Sequence, residues 1–204
     1  SAQEVRILGY SGGSSATLGL DLVPIYNPPI VQSRAPVNFF DINQISSGLL
    51  LPFSPDALPD VGQLPVAPDS LRIRVAINRL DVVDAWGTLS IPGGIYNVLR
   101  EKKTQYTETR LDAKVPPLGW LDITDVAIQY LFVSVLGVDS TTTYHFLNDQ
   151  SKEAVAVCTT YNSVLLVVCV LYKNLYTSTG TKMLERLIAG LAVFPNPAED
   201  VLQI

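Results

Sequence analysis

Each of the two tryptophans of the chain lies close in sequence to two aspartates, and these residue types together could bind or cleave a sugar. Two carboxylates about 5–9 Å apart can act as the acid and the base of glycoside hydrolysis, and an indole ring can stack on a sugar ring. The residues concerned are Asp81, Asp84, Trp86, Trp120, Asp122 and Asp125. A structural explanation competes with this one, because aspartate is common in turns at strand ends and a strand tryptophan more often packs in a core.

Trp86 and Trp120 could both contribute to a sugar-stacking platform. Strand alternation puts Trp86, Thr88 and Ser90 on one face, where small polar neighbours favour partial exposure of the indole. The candidate ligand-binding residues are Asp84, Trp86, Tyr96, Trp120 and Asp122. Carboxylates of this kind could also hold a structural calcium ion. The Asp-x-Asp-x-Asp-Gly run of a calcium loop is absent, so no dedicated metal site and no other cofactor is predicted.

His145 is the only histidine, which limits acid–base and metal chemistry. A Ser-His-Asp site needs a base within reach of a nucleophile and an orienting carboxylate, yet the chain has no Gly-x-Ser-x-Gly elbow. One histidine and two cysteines match no standard zinc finger. We therefore expect His145 to be structural and the chain not to be an enzyme.

The two cysteines, Cys158 and Cys169, lie on either side of a predicted hairpin turn. A two-residue turn at Ser163-Val164 would put them opposite each other, within the Cα spacing that a disulfide accepts. A turn one residue earlier would leave the sulfurs diagonal on one face. Because the surrounding valines indicate core, two buried free thiols are favoured over a disulfide between Cys158 and Cys169.

Alternation of apolar and polar residues predicts the strands that must position these side chains. Leu71 to Ile77 places four apolar side chains on one face. Trp86 to Ile91 and Ile95 to Lys103 flank Pro92-Gly93-Gly94, which predicts a hairpin. Val155 to Tyr172 predicts a second hairpin, apolar enough to be covered on both faces.

The remaining segments complete an all-β pattern. Residues 1–70 hold nine of the 14 prolines and are expected to be rich in loops. Other predicted strands are Val5–Leu8, Leu18–Val23, Val37–Phe40, Thr104–Asp112, Trp120–Val138 and Tyr144–Leu147, with a turn at Asp139–Thr143 and a helix at Lys182–Ala189. Short strands separated by turn signals favour an antiparallel β-sandwich, jelly-roll or immunoglobulin-like, with a barrel as the alternative.

The composition excludes several classes of function. Apolar residues make up 48% of the chain and charged residues 16%, a balance unlike that of disordered proteins. The longest apolar run, Val164 to Leu171, is shorter than the roughly 20 residues that span a bilayer. The net charge is −5 and no basic stripe is present, so neither nucleic acid nor an anionic membrane is expected as a partner.

The last 14 residues carry a stiff proline turn between two short apolar segments. Pro195 and Pro197 each fix φ, and Asn196 between them is restricted to extended conformations. The residues of the motif are Phe194, Pro195, Asn196, Pro197, Ala198 and Asp200. With the Val-Leu-x-Ile segment that follows, they resemble the opening of the C-terminal sorting domain of the type IX secretion system of Bacteroidota. The resemblance implies a partner in the type IX machinery and a location at the cell surface or outside the cell, after a signal peptide directs passage through the periplasm. Ser1-Ala2-Gln3 is compatible with the end of such a signal peptide.

Residues 69–172 carry a looser resemblance. Asp84-Ala85-Trp86-Gly87-Thr88, Tyr96-Asn97-Val98-Leu99-Arg100 and Tyr144-His145-Phe146-Leu147-Asn148 are similar to a pattern in secreted Bacteroidota proteins. The resemblance implies an exported β domain and no particular activity.

These observations predict one main domain at 1–172, made of a loop-rich part (1–70) and a strand-rich part (71–172). A linker (173–190) and the truncated start of a sorting domain (191–204) follow. The expected function is an exported surface or extracellular domain for adhesion, binding or structure, with a glycan or a surface protein as its partner. The alternative is a secreted glycan- or peptide-degrading enzyme, or the carbohydrate-binding accessory module of one.

Overall fold

The computed structural model describes residues 3–11, 23–57, 67–92, 94–131, 135–151, 153–161, 166–173 and 201–203. Ten strands account for most of the regular structure of this part of the chain. They are β1 (Gln3–Gly9), β2 (Ile25–Ala35), β3 (Ile42–Phe53), β4 (Ser70–Ile91), β5 (Gly94–Val115), β6 (Gly119–Asp122), β7 (Gly137–Leu147), β8 (Ala156–Tyr161), β9 (Leu166–Tyr172) and β10 (Val201–Gln203). The described helices are a 3₁₀ turn at Pro55–Ala57 and α1 (Thr124–Leu131).

The described strands form two sheets. β1 and β2 pair as a two-stranded antiparallel sheet, and the remaining strands form a larger one. Seven strands of the larger sheet are antiparallel, in the order β4-β5-β7-β8-β9 with β3 beside β4 and β6 beside β5, and the short β10 pairs in parallel with β4. The strand order has two ends over the described residues. The prediction of an all-β antiparallel fold is therefore confirmed, and the barrel alternative is wrong.

The chain divides into two compact units. β4 and β5 are each 22 residues long, and each contributes residues to both units. Unit 1 comprises Ser1–Pro36, Gln44–Arg79 and Gln105–Asp139, and unit 2 comprises Val37–Asn43, Leu80–Thr104 and Ser140–Ile204. Each unit has a hydrophobic core whose described members all belong to that unit.

The core of unit 1 follows from the alternation in β4. Its apolar side chains Leu71, Ile73, Val75 and Ile77 are all buried, as the period of two predicts. Ile30 of the two-stranded sheet joins the same core. Side chains from both sheets thus fill one interior, which is the two-layer packing of a β-sandwich.

The core of unit 2 is formed mainly by the ends of the two predicted hairpins. The buried members are Leu89, Ile91, Phe146, Val155, Ala156 and Cys158. Both hairpins are present, as β4–β5 and as β8–β9. The expectation that the second hairpin is covered on both faces is wrong for β9, where Cys169 and Leu171 are exposed. β9 is the last described strand of the sheet, so it has a neighbour on one side only.

Two local predictions differ from the structure for identifiable reasons. The predicted strand Trp120–Val138 is not continuous: β6 is followed by α1, and Gly137 and Val138 begin β7. The strand ends at Asp122, which closes a turn by accepting a hydrogen bond from the backbone N–H of Thr124 at 3.0 Å. The predicted turn Asp139–Thr143 lies inside β7. Its Asp, Ser and Thr side chains sit on a strand that β8 pairs with, so tertiary pairing overrides local turn propensity.

The proline-rich first third is more regular than expected. β2 and β3 are strands of 11 and 12 residues, and Val5–Leu8 is confirmed as part of β1. Val37–Phe40 is a turn region and not a strand. The motif Phe194–Asp200, the predicted helix Lys182–Ala189, and the predicted strand Leu18–Val23 apart from its last residue lie outside the described residues.

Candidate functional site

The five candidate ligand-binding residues fall into two groups, one in each unit. Trp120 and Asp122 lie on β6 in unit 1, whereas Asp84, Trp86 and Tyr96 lie on β4 and β5 in unit 2. Each group is surrounded by arginine, which the sequence did not single out.

In unit 1, Trp120 and Asp122 belong to an ion-paired network across β4, β5 and β6. The guanidinium of Arg72 lies over the indole of Trp120, 4.4 Å from the ring centroid. Arg72 also donates from Nε to a carboxylate oxygen of Asp112 at 2.8 Å. Arg74 bridges Asp112 and Asp122 at 3.1 and 3.2 Å. One face of the indole is therefore occupied by protein.

The carboxylates of this network are held in the ionised form. Partial burial acts to raise the pKa of Asp122, but hydrogen bonds from Thr124 and Arg110 outweigh it and bring the pKa down to about 2. The pKa of Asp112 is likewise lowered, because Arg74 and Arg72 outweigh its desolvation. A general acid at neutral pH needs a raised pKa. These two carboxylates therefore suit ion pairing better than proton transfer.

In unit 2, Asp84 is paired and Trp86 is open to solvent. Asp84 accepts two hydrogen bonds from Arg100, at 2.9 and 3.2 Å, and the Arg100 guanidinium lies 5.4 Å from the ring centroid of Tyr144. The side chain of Trp86 is 68% exposed, as the alternation with small polar residues predicted. A bidentate pair with a backing aromatic ring gives this surface a fixed geometry.

Tyr96 is partly buried and is not exposed as Trp86 is. Its ring packs against the core of unit 2, and its hydroxyl is buried without a hydrogen-bond partner among the described residues. The ring also lies close to Gly94, where an added Cβ would approach it to 3.1 Å. Among the three candidates in unit 2, Trp86 is thus the exposed aromatic residue.

His145 lies on β7 within the larger sheet. It is partly buried on β7, directly opposite Val157 of β8, and its Nε2 lies 3.3 Å from the hydroxyl of Thr143. No group of three or more histidine, cysteine, aspartate or glutamate side chains suited to a metal ion occurs within the described ranges.

The cysteines are free and lie on opposite faces of the hairpin. Near the tip, the register pairs Thr160 with Val167, as a Ser163-Val164 turn predicts. A β-bulge then shifts the register, so that Thr159 faces Cys169 and Cys158 faces Val170. Because neighbouring strand residues point to opposite faces, the two thiols point apart. Cys158 is buried and Cys169 is exposed. A disulfide is therefore not formed, and the expectation of two buried thiols is wrong for Cys169.

A strained aromatic turn in unit 2 was missed by the sequence analysis. Phe40 has a φ of +70°, which is rare for a bulky side chain. Its ring is 74% exposed and lies 4.0 Å, centroid to centroid, from that of Phe39. Backbone bonds hold the turn: Phe40 N–H donates to Val83 at 3.0 Å, and Val83 N–H donates to Asp41 at 2.9 Å. The Asn-Phe-Phe-Asp string was the signal that could have revealed a turn here.

A cleft of about 410 Å³ lies at the open end of the β8–β9 hairpin in unit 2. The side chains that give it chemical character are Ser151, Glu153, Val157, Leu171, Tyr172 and Lys173. These residues could not be recognised as a group from the sequence, because they come from two separated segments that only the hairpin brings together.

Comparison with known proteins adds no family assignment: no protein-family model, no curated protein and no solved structure matches this chain. No helix in the part of the chain that the structure describes is long and apolar enough to cross a membrane.

Proposed function

We propose that this chain is an exported, non-catalytic β domain that binds a glycan or a protein at the surface of a Bacteroidota cell. The observation that carries the binding role is the exposure of Phe39, Phe40 and Trp86 in unit 2, here called the aromatic surface. Large exposed aromatic side chains on a rigid frame are typical anchors of an interface.

The frame of the aromatic surface supports this proposal. The Phe39–Phe40 turn is bonded to β4 at Val83, and β4 is also the strand that carries Trp86. Strained backbone in a bulky residue is found mostly where function maintains it. The Asp84–Arg100 pair beside Trp86 on the chain limits movement of the strands that present the indole.

The state of the carboxylates favours binding over catalysis. Asp112 and Asp122 have lowered pKa values and partners that hold them as anions. Asp84 is engaged by Arg100. An acid–base pair for hydrolysis needs one carboxyl whose pKa is raised, and neither Asp112 nor Asp122 meets that requirement.

The proposal of export rests on the residues at 194–200, which resemble the start of a type IX sorting domain. Delivery by that machinery would bring the domain to the outer face of the cell, where an aromatic surface can meet a partner.

Binding can be tested with the purified, fluorescently labelled chain and whole cells of the native host. We expect saturable binding that weakens about tenfold in Trp86→Ala and in Phe40→Ala. Tyr106→Ala is the matched control, because Tyr106 is an exposed aromatic residue of β5 that lies in unit 1. Equal binding by all four proteins would overturn the assignment of the aromatic surface.

Two further arms complete the test. Treatment of the cells with periodate or with a protease distinguishes a glycan partner from a protein partner. Release of reducing sugars or peptides from the same cells by the wild-type chain would replace the binding proposal with the enzymatic alternative.

Export is tested by expressing the full-length gene in its native host, with and without the segment that begins at Leu191. Surface localisation that survives this deletion would remove the type IX proposal.

A further inference from the structure

The cleft at the end of the β8–β9 hairpin shares no lining residue with the aromatic surface. It is lined by residues that follow β7 and by the end of β9. Leu171 and Tyr172 alternate faces of the strand, yet both line it. Side chains from both faces of β9 therefore contribute to the cleft. Its volume of about 410 Å³ falls in the range of small-molecule sites.

The backbone that frames the cleft is already fixed by hydrogen bonds. Val155 N–H donates to the carbonyl of Phe146 at 2.7 Å, and Lys173 N–H donates to the carbonyl of Val155 at 2.8 Å. These bonds tie the segment after β7 and the end of β9 to the same residue. A ligand would therefore meet a preformed site and would pay little ordering entropy.

The two charged groups of the cleft do not form an ion pair with each other. The carboxylate of Glu153 forms no hydrogen bond or ion pair with any residue that the structure describes, and its residue is exposed. Lys173 Nζ makes one long contact, 3.4 Å, to the hydroxyl of Ser151. The cleft thus offers acceptors, donors and a hydroxyl that can do both, with one positive and one negative group.

Apolar groups complete the lining. Tyr172 is about half exposed, so that part of its ring is available. Val157 and Leu171 pair directly across β8 and β9 and share one face. An aromatic ring provides apolar area with a polar end, which suits a ligand that is apolar on one side and hydroxylated on the other.

We propose that this cleft binds a neutral sugar unit of a glycan. A pyranose carries hydroxyl groups that donate and accept, so it can satisfy Glu153, Lys173 and Ser151 together. Its C–H face can pack on the ring of Tyr172. This sugar site is different from the aromatic surface. It rests on the proposed function only in that the chain is a binding domain.

The test uses NMR titration of the purified chain with defined probes: glucose, galactose, mannose, N-acetylglucosamine and the β-linked disaccharides of glucose and N-acetylglucosamine. We expect saturable shifts with at least one sugar at residues 151–157 and 171–173. Tyr172→Ala should weaken that binding about tenfold, and Glu153→Gln, which is isosteric and exposed, about fivefold. Tyr106→Ala should bind the sugar as the wild type does.

Three results would overturn the sugar proposal. They are no saturable shift with any sugar, wild-type sugar affinity in both Tyr172→Ala and Glu153→Gln, or saturable binding of the zwitterionic dipeptide glycyl-leucine in place of sugars. Failure here is distinguishable from failure of the proposed function. Cell binding that depends on Trp86 can persist when the sugar shifts are absent, and the sugar shifts can persist when cell binding is absent.

Discussion

The guanidinium of Arg72 lies 4.4 Å above the centroid of the Trp120 indole, and the same guanidinium donates a hydrogen bond to Asp112. Arg72 is on β4, Trp120 on β6 and Asp112 on the strand between them, so that one side chain ties three strands together. The stacking also covers one face of the indole. The Trp120 ring therefore acts mainly as a structural clamp between strands of unit 1. Only its other face could contact a ligand.

Removal of the Trp120 ring should destabilise the protein. Trp120→Ala loses the cation–π contact and the area packed beneath Arg72, and we expect the free energy of unfolding to fall by about 1–2 kcal/mol. The measurement is urea denaturation followed by circular dichroism. Trp86→Ala is the matched control and should change the stability by less than about 0.5 kcal/mol, because Trp86 is largely exposed. Equal effects of the two substitutions would contradict the clamp.

Asp122 should make stability depend on acid pH. Its pKa in the folded protein is about 2, below the ordinary value of 3.8. A carboxyl with a lowered pKa stabilises the fold fully above its ordinary pKa and loses that contribution as the pH falls to the folded value. We expect the urea midpoint to drop between about pH 4 and pH 2, and this drop to be smaller in Asp122→Asn.

The control for the acid titration is Asp125→Asn, which alters an exposed carboxylate three residues away on α1. Its stability should follow the wild-type dependence on pH. An Asp122→Asn variant with an unchanged slope between pH 4 and pH 2 would mean that the hydrogen bonds from Thr124 and Arg110 do not stabilise the charged form.

The strands and hairpins could be predicted from the sequence because their signals are local. Alternation from Leu71 to Ile77 survives in the folded chain, since the period of two puts a whole apolar face into the core. The break at Pro92 marks the β4–β5 connection for an equally local reason. The exposure of Trp86 also followed from its small polar neighbours.

Other features depend on partners distant in the chain. The bulge near Thr159 separates the cysteines, and its position is set by pairing across the hairpin. The partly buried position of Tyr96 depends on packing against a core to which β4, β7 and β8 contribute. The cleft at Lys173 needs residues some 20 positions earlier. No window of the sequence contains both sides of these contacts.

The backbone at Phe40 provides a stability test that is independent of binding. A β-branched residue tolerates positive φ poorly, whereas glycine adopts it freely. Both Phe40→Val and Phe40→Gly remove the exposed ring, yet we expect Phe40→Val to be less stable than Phe40→Gly by about 1–2 kcal/mol. The same pair of substitutions at Phe39 should show no such preference for glycine, because only Phe40 is a non-glycine residue with positive φ among those described.

The two thiols should differ strongly in reactivity. Burial, with a smaller contribution from Cys169, raises the pKa of Cys158 to about 11, and the thiolate is the reactive form. At pH 8 we expect iodoacetamide to label the native protein once, at the exposed Cys169. Cys169→Ser should abolish this labelling, and Cys158→Ser should retain it. Mass spectrometry under mild oxidation should find no loss of two hydrogens, which an intramolecular disulfide would require.

Tyr96 offers a test that separates an interior role from ligand binding. Its hydroxyl is buried with no hydrogen-bond partner among the described residues, and an unsatisfied buried polar group costs about 1–3 kcal/mol. Tyr96→Phe removes that group and keeps the ring, so we expect the free energy of unfolding to rise by about 1 kcal/mol while cell binding and sugar binding stay unchanged. Tyr106→Phe, at an exposed position, should leave stability unchanged. If Tyr96→Phe instead lowers stability, the hydroxyl has a hydrogen-bond partner in solution. If the substitution weakens binding, Tyr96 contacts the ligand and is a residue of the binding site.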